Sequence, residues 1–451
     1  MFFESIILRK DIRSDWIWVN PLLFHEPFRR IPFYLDTWAL SRSQYWPRKK
    51  IKNLGLRRFA ETVRYASQIP FWKERFAKAG IDPNTFRESD IARIPILSKK
   101  DFLDRNVAEY TVPELLPKSR QYSTSGSTGR PLNVYRDPQF ELRSSAIEER
   151  MFRAVGDDKR FPIVLMRRAP HMGFDYAKYY FFFLRGYNSV RHRIRDLEKL
   201  LSSFPDGVIL YSLGSSLLEL ARVCKDLQIS LPLRCVISIA EELRDSQKME
   251  ISDILRVDIR TVYSAKEVRQ LAFECEHHRL HMTEESIYFE IVDDHGTSLP
   301  PGIKGRLIVT GFENHVMPFI RYDTGDTGLI SESPCPCGRT LRTLEFHGRQ
   351  MKLLHIGDEY TVSLLDFSIL LDAYYDTISQ FQIVRTGERT FVMRIVKRIG
   401  FNEQKACSDL TEQFRSCIHP DVQIEWEFVE FISEGPSGKA LYFIDKFEKN
   451  T

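Results

Sequence analysis

A loop at residues 122–137 (YSTSGSTGRPLNVYRD) holds the densest set of groups in the chain that could bind phosphate. Gly126 and Gly129 allow tight turns and a close approach of backbone N–H groups to a ligand. Backbone N–H and side-chain O–H donors together can surround a polyphosphate. The loop is not of the Walker type, because no Gly-Lys-Ser/Thr sequence closes it. The hydroxyl side chains that could act as donors are those of Ser123, Thr124, Ser125, Ser127 and Thr128.

The same loop could instead be a flexible Ser/Gly linker. The residues that follow it argue for a structured role. Leu132, Val134 and Tyr135 alternate with polar residues after Pro131, which predicts a strand directly behind the loop.

Three cysteines and one histidine could form a metal site. Cys335-Pro336-Cys337 is a close pair, and Cys275 with His281 belongs to a second cluster, CEHHRLH. Three thiolates and one imidazole are a suitable ligand set for tetrahedral Zn²⁺. His277 or His278 could replace His281, and all four residues could also be ordinary core or surface side chains.

Two polar clusters follow predicted buried strands in the middle of the chain. They are Ala240-Glu241-Glu242 and Tyr263-Ser264-Ala265-Lys266-Glu267. In sheets of parallel strands, ligands bind beyond the carboxyl ends of the strands, so Ala240, Glu241, Tyr263 and Ser264 are candidate ligand contacts. A carboxylate such as that of Glu267 suits Mg²⁺, which takes hard oxygen ligands.

The loop at 124–131 resembles the phosphate-binding signature of the acyl-adenylate-forming superfamily, roughly (S/T)SG(S/T)TGxP. The segment 69–102 contains Pro95-Ile96-Leu97-Ser98-Lys99 near its end and resembles the N-terminal part of phenylacetate–CoA ligase-like proteins. The resemblance covers about residues 50 to 445. Further family motifs follow in the family's order at Tyr263–Glu267, Ile320–Asp326, His347–Arg349 and Glu434–Lys439.

The resemblance implies roles for individual residues. The ring of Tyr263 would pack on adenine, Glu267 would help to hold Mg²⁺, and Asp326 would bind the ribose hydroxyls. Ser264 stands where the family has Gly, and Lys266 where it has Thr, which leaves the role of Lys266 open. The Asp323–Asp326 segment could also be an ordinary turn.

The C-terminal motifs imply a mobile lid. Arg349 would face ribose or phosphate, and the hinge would lie among Gln350, Met351 and Lys352, where the family has Asp or Lys. Lys439, on a mobile loop, would bring positive charge to the α-phosphate. A Gly-Lys pair near a C-terminus can also be a simple turn. In the same family, Cys/His positions equivalent to those described above imply a structural metal.

The implied reaction joins a carboxylic acid to ATP, giving acyl-AMP and pyrophosphate, and then transfers the acyl group to coenzyme A. Two alternatives stay open. The acceptor could be an amine or a hydroxyl, and the divergent hinge favours the branch found with capsule-biosynthesis genes. The chain could also be a nucleotide-binding homologue without catalysis. The implied cofactors are ATP, Mg²⁺, structural Zn²⁺ and coenzyme A.

The elements that must position these residues are predicted from hydrophobic periodicity. Short apolar runs alternate with helical patterns through the middle of the chain, which predicts an α/β fold with a mostly parallel sheet. Residues 1–347 would form this large domain, and residues 348–451 a small α+β lid. Predicted helices span 54–67, 217–227, 245–255 and 403–417. Predicted strands span 161–166, 208–213, 236–240, 259–263, 287–293, 305–311, 378–384, 390–396 and 422–431. The strands 287–293 and 305–311 are predicted to form a hairpin.

Composition limits the function classes. The chain has 451 residues, 43% of them hydrophobic, and a net charge of +4 from 65 basic and 61 acidic side chains. This balance gives no indication of nucleic-acid binding. The N-terminus lacks a signal-peptide pattern, and the apolar run 179–184 is too short for a transmembrane segment. Seven cysteines without a disulfide framework favour a cytoplasmic location. The oligomeric state is left open.

Overall fold

The computed structural model describes residues 27–103, 105–123, 132–155, 161–167, 179–183, 190–240, 243, 245–347, 353–356, 360–363, 367, 370–371, 374, 377–432 and 443–447. The α-helices in these ranges are α1 (Pro27–Ser43), α2 (Arg48–Ala66), α3 (Pro70–Lys78), α4 (Lys100–Leu103), α5 (Val107–Tyr110), α6 (Pro138–Val155), α7 (Val190–Leu201), α8 (Gly214–Leu227), α9 (Asp245–Leu255) and α10 (Glu403–Cys417). None of these helices has both the length and the hydropathy needed to cross a membrane.

The strands fall into one large sheet and three small ones. Those outside the large sheet are β1 (Arg120–Ser123), β2 (Asn133–Arg136), β14 (Leu353–Ile356), β15 (Tyr360–Ser363), β16 (Ile378–Arg385), β17 (Thr390–Lys397), β18 (Gln423–Phe428) and β19 (Phe443–Asp445). Those of the large sheet are β3 (Ile163–Arg167), β4 (Tyr179–Phe183), β5 (Val208–Leu213), β6 (Leu233–Ile239), β7 (Asp258–Ala265), β8 (Arg269–Glu274), β9 (Leu280–Met282), β10 (Ile287–Val292), β11 (Gly305–Gly311), β12 (Tyr322–Ser331) and β13 (Thr343–His347).

The large sheet has the strand order β10-β11-β12-β13-β9-β8-β7-β6-β5-β3-β4. From β4 to β7 all neighbours are parallel. From β7 to β10 all neighbours are antiparallel. The fold is therefore α/β as expected, but the prediction of a mostly parallel sheet holds only for the first half. No helix lies between consecutive strands from β7 to β13. Short connections of this kind allow antiparallel neighbours, whereas parallel neighbours need a long crossover connection.

The parallel half is covered on both faces. Val164 and Met166 of β3 belong to a core cluster with α7, α8 and α9. Ile163 and Leu165 of the same strand belong to a second cluster with α6. Successive strand residues point to opposite faces, and burial of both faces explains the continuous apolar runs in the sequence.

The residues after 347 have a core of their own. It extends from Leu354 to Phe443 and includes Phe367, Phe381 and Phe414. The four-stranded sheet has the order β18-β17-β16-β19. Together with α10 this is the α+β unit that the sequence predicts.

Most predicted elements appear with shifts of a few residues at their ends. The predicted helix 54–67 lies within α2, and 403–417 is α10. Pro70 is the first residue of α3. Proline fits this first position, where a helix has no partner for an N–H group.

The guanidinium of Arg321, just before β12, is buried, and each of its three nitrogens has a hydrogen-bond or ion-pair partner. Its Nε donates to the Glu290 carboxylate at 3.1 Å, and its Nη2 lies 3.0 Å from the other carboxylate oxygen. Its Nη1 donates to the carbonyls of Ala92 at 3.1 Å and Ile94 at 2.7 Å, and its Nη2 to that of Gly296 at 3.4 Å. One side chain thus fixes three separate chain segments.

The same region joins two of the family motifs. The backbone N–H of Leu97 donates to the carbonyl of Arg321, and the N–H of Asp323 donates to the carbonyl of Leu97, each at 2.8 Å. Leu97 belongs to the 95–99 motif, and Asp323 to the motif that ends at Asp326. The two motifs are therefore joined in space by an isolated parallel β-bridge between Leu97 and Tyr322.

Replacing Glu290 by Ala should destabilise the fold by about 3–5 kcal/mol, because it leaves the buried Arg321 charge without its counterion. Chemical denaturation would measure the change. The control is Glu427→Ala, which breaks the ion pair between Glu427 and Arg394, 2.6 Å apart. The side chain of Glu427 is 38% exposed and that of Arg394 is 33% exposed. A surface pair of this kind contributes less than about 1 kcal/mol. If both variants lose the same free energy of unfolding, the buried Arg321 charge does not depend on Glu290 as its counterion.

Candidate functional site

Several predicted site residues gather where β6 and β7 end. Ala240 follows β6 directly and has φ = +63°, a left-handed conformation that non-glycine residues rarely adopt. Strained backbone of this kind concentrates at functional sites. Ser264, near the end of β7, is exposed. Glu241 lies outside the residues that the structure describes.

Tyr263 of β7 holds the carboxylate of Asp326 on β12. Its hydroxyl donates to Oδ2 of Asp326 at 2.8 Å. Its ring packs against Phe346, with centroids 4.2 Å apart. Burial, and secondarily the Asp326 charge, raises the pKa of Tyr263 well above 10, so the phenol stays protonated and remains a donor.

Tyr322 at the start of β12 holds the carboxylate of Glu267 in the same way. Its hydroxyl donates to Oε1 of Glu267 at 2.7 Å. Glu267 itself is buried. Each of the two motifs therefore supplies a tyrosine hydroxyl to the carboxylate of the other.

These crossed pairs were not identified from the sequence, although a signal was present. Tyr263 precedes Glu267 by four residues, and Tyr322 precedes Asp326 by four residues. The shared Tyr-x-x-x-acid spacing indicates two similar units, but the exchange of partners between them depends on the pairing of distant strands.

Arg136 of β2 connects the phosphate-loop region to the end of β7. Its guanidinium donates to the carbonyl of Lys266, from Nε at 2.9 Å and also from Nη2. It lies 4.0 Å from the Tyr122 ring centroid and 3.2 Å from Glu141. Sequence inspection missed Arg136, and the contact gives Lys266 a role through its backbone.

A second connection reaches the same strand from the segment before β12. The Asp137 carboxylate accepts from the backbone N–H of His315 at 2.8 Å. The side chain of Asn314 donates to the carbonyl of Tyr135 at 2.8 Å. Strands β1 and β2, which flank the loop at 124–131, pair antiparallel with Tyr122 opposite Val134.

Several predicted site residues lie outside the described part of the chain, so their roles stay predictions. Ser123 is the last residue of β1, and the loop continues beyond it. The residues concerned are Thr124, Ser125, Gly126, Ser127, Thr128, Gly129, Glu241, Arg349 and Lys439.

The structure brings the four predicted metal ligands together. Their ligand atoms all lie within 4.8 Å of one another. The sulfurs of Cys275 and Cys335 are 3.6 Å apart, and Cys337 Sγ lies 3.2 Å from His281 Nε2. The other ring nitrogen of His281, Nδ1, is 2.8 Å from the carbonyl of Leu341. A proton on Nδ1 makes this a hydrogen bond and leaves the Nε2 lone pair directed at the sulfurs.

The alternative ligand His278 faces elsewhere, with Nδ1 3.1 Å from the carboxylate of Glu274. Burial lowers the pKa of His281 to about 4 and raises the pKa of Cys335 to about 12. A neutral imidazole is ready to bind a cation. A thiol whose pKa is raised, such as that of Cys335, needs a cation nearby to lose its proton.

Known proteins are similar to this chain in sequence and in fold. No protein-family model matches the chain. The chain is 27% identical to the phenylacetate-coenzyme A ligase of Thermus thermophilus over 370 residues, covering 76% of this chain and 80% of that protein. It is 20% identical to Protein CapK of Staphylococcus aureus over 423 residues, covering 87% and 88%.

The chain is thus similar in sequence to phenylacetate–coenzyme A ligases and to Protein CapK over most of its length. The resemblance predicted from the motifs is thereby confirmed. The fold is also that of 2-hydroxyisobutyryl-CoA ligase solved with 2-HIB-AMP and CoA, with a TM-score of 0.61 at 17% identity, covering 89% of this chain and 91% of that one. At this identity the structural match is evidence for the fold alone.

Proposed function

We propose that the chain is an AMP-forming acid–thiol ligase that adenylates a carboxylic acid and transfers the acyl group to coenzyme A. The observation that carries this proposal is the pair of crossed hydrogen bonds, Tyr263 to Asp326 and Tyr322 to Glu267. They fix two carboxylates, one just after β7 and one on β12. The similarity to phenylacetate-coenzyme A ligases supports coenzyme A as the acceptor.

In this proposal the fixed carboxylates bind different parts of ATP. Asp326 accepts from the ribose hydroxyls, and Tyr263, Ser264, Ala240 and Glu241 surround the adenine. Tyr322 occupies only one oxygen of Glu267 by the contact described, and carboxylate oxygens are the ligands that Mg²⁺ prefers. Bound Mg²⁺ would neutralise phosphate charge.

The loop from Ser123 to Gly129 would hold the phosphates through its N–H and O–H donors. A carboxylate oxygen of the acid attacks the α-phosphorus while the bond to the β-phosphate breaks and pyrophosphate leaves. The thiol of coenzyme A then attacks the acyl carbon and loses its proton, and AMP departs. Arg349 and Lys439 would assist from a C-terminal domain that begins at residue 348, whose separate core supports this boundary.

A pyrophosphate-release screen over carboxylic acids tests the function directly. The purified chain is incubated with ATP, Mg²⁺ and single acids, with and without coenzyme A, and products are identified by mass spectrometry. An acyl-CoA product supports the proposal. An amide or ester formed only with an amine or hydroxyl acceptor overturns the choice of coenzyme A. Binding of ATP without pyrophosphate release from any acid would indicate a homologue without catalysis.

The cluster of Cys275, His281, Cys335 and Cys337 is proposed to hold one structural Zn²⁺. The donor set fits, because thiolates and neutral imidazole are its preferred ligands and four of them leave no open position for catalysis. None of the seven cysteines of the chain forms a disulfide. This supports the proposal of a reducing, cytoplasmic location.

Asp326→Ala should weaken ATP binding by about 1–3 kcal/mol, the range for losing a hydrogen bond with a charged group. Isothermal calorimetry with ATP would measure this. Asp323→Ala is the matched control, since that carboxylate lies in the same motif but pairs with Arg306 at 2.7 Å. Unchanged ATP affinity in the Asp326 variant rules out its role at the ribose.

Metal analysis of the purified chain should find about one Zn²⁺ per molecule, as a four-ligand site requires. Chelation should lower the melting temperature, because metal binding contributes directly to folding. Cys337→Ser should lose the metal, whereas Cys407→Ser, at a half-exposed thiol of α10, should keep it. A metal-free chain whose melting temperature does not respond to chelator contradicts the zinc site.

Lys439→Ala should slow acyl-AMP formation by about 10²–10³-fold, as for loss of one preorganised electrostatic group. Transfer from supplied acyl-AMP to coenzyme A should be nearly unchanged, because closure of the domain is needed only for the first step. Single-turnover kinetics would separate the two half-reactions. Lys446→Ala, just after β19, is the control. If both half-reactions fall equally, Lys439 is a folding residue.

A further inference from the structure

Helix α1 has an apolar face that points away from the molecule. Ile31, Tyr34, Leu35 and Trp38 are 56%, 49%, 61% and 56% exposed. Their spacing of three and four residues places them on one side of the helix. We call these four residues the outer stripe.

The opposite face of α1 already supplies the contacts that fix the helix. Thr37 and Leu40 are buried there, and α1 packs along α6. Ser43 donates to the carboxylate of Glu285 at 2.7 Å. The outer stripe therefore adds nothing to the core. The exposed face of a docked helix is ordinarily polar, and a continuous exposed apolar patch indicates an interaction site.

Strong positive charge accompanies the outer stripe. Residues 27–53 contain seven Lys and Arg side chains and one acidic side chain, a net charge of +6, whereas the whole chain has only +4. The one acid, Asp36, is paired with Arg143 at 2.7 Å. Two of the seven cations are paired with carboxylates of other segments, Arg48 with Glu284 at 2.6 Å and Lys52 with Glu88 at 2.9 Å. The sequence of this segment is still more positive than that of the chain as a whole.

Aromatic rings and cations are paired in this segment. The Arg42 guanidinium lies 4.1 Å from the Trp38 ring centroid, and the Lys50 ammonium lies 3.5 Å from that of Trp46. Within the described ranges, no carboxylate forms an ion pair with Arg42, Lys49 or Lys50. Side chains that combine an apolar body with a charged end suit the boundary between water and lipid.

We propose that the outer stripe and the cations Arg42, Lys49 and Lys50 dock the protein on an anionic membrane surface. The apolar side chains would enter the headgroup region, and the basic side chains would meet lipid phosphates and carboxylates. A second copy of the chain fits less well. A two-fold interface brings the same patch of each subunit together, so these positive charges would face each other. This inference goes beyond the proposed ligase reaction and does not depend on it.

Vesicle flotation of the full chain tests the docking. The chain should float with vesicles of phosphatidylcholine and phosphatidylglycerol and much less with phosphatidylcholine alone, and added salt should weaken the binding. The double variant Leu35→Ser, Trp38→Ser should reduce the partition coefficient by about tenfold or more, because both side chains would otherwise bury apolar area in the lipid. Lys49→Glu with Lys50→Glu should reduce it by about tenfold or more by removing charge attraction.

The control is Ile399→Ser, which removes a fully exposed apolar side chain after β17 and should leave flotation unchanged. Melting curves verify that each variant is folded. Absence of flotation with the anionic vesicles overturns the proposal, as does equal flotation of the outer-stripe variant. Light scattering that shows a dimer in the parent and a monomer in that variant would assign the face to a second copy instead.

Discussion

Burial of the Arg321 guanidinium restricts how the N-terminal segment, β10 and β12 can be arranged. A charge removed from water costs several kcal/mol unless its partners have good geometry. Here the partners come from Glu290, from the carbonyls of residues 92 and 94, and from Gly296. Only one arrangement of these segments satisfies them together. An arginine suits this position because its planar group presents five donors in fixed directions.

The candidate site depends on this constraint. Tyr322 follows Arg321 directly, and Asp326 lies on the same strand, so their positions are set once β12 is fixed. The crossed hydrogen bonds then orient both carboxylates before a ligand arrives. Preorganised groups of this kind lose little freedom when they bind a ligand, which is the physical reason to build a nucleotide site from them. Arg136 extends the same frame to the strand that leaves the phosphate loop.

The sequence was sufficient to predict the features that depend on local pattern. The apolar runs of β5 and β6 and the helical period of α9 follow from burial, and the Cys/His spacing identified four side chains that do meet. Local pattern could not give contacts between distant residues. Arg136 and Lys266 are 130 positions apart, so no local pattern relates them. Of the antiparallel half of the sheet, only the hairpin of β10 and β11 was predicted, because an apolar run does not show the direction of its neighbouring strand.

The cysteine–histidine cluster lies at the junction of the two surfaces to which function is attributed. On one side, two residues that follow Cys337, Arg339 and Thr340, donate hydrogen bonds to Gln44. Arg339 Nε lies 3.0 Å from the side-chain oxygen of Gln44, and the Thr340 N–H donates to the backbone carbonyl of Gln44 at 2.9 Å. Gln44 directly follows α1, the helix of the outer stripe. On the other side, the loop continues into β13, where Phe346 packs against the ring of Tyr263. A metal that holds this loop would therefore stiffen the base of the proposed membrane surface and one wall of the proposed nucleotide site together. Its loss should loosen both, although neither surface contains a metal ligand.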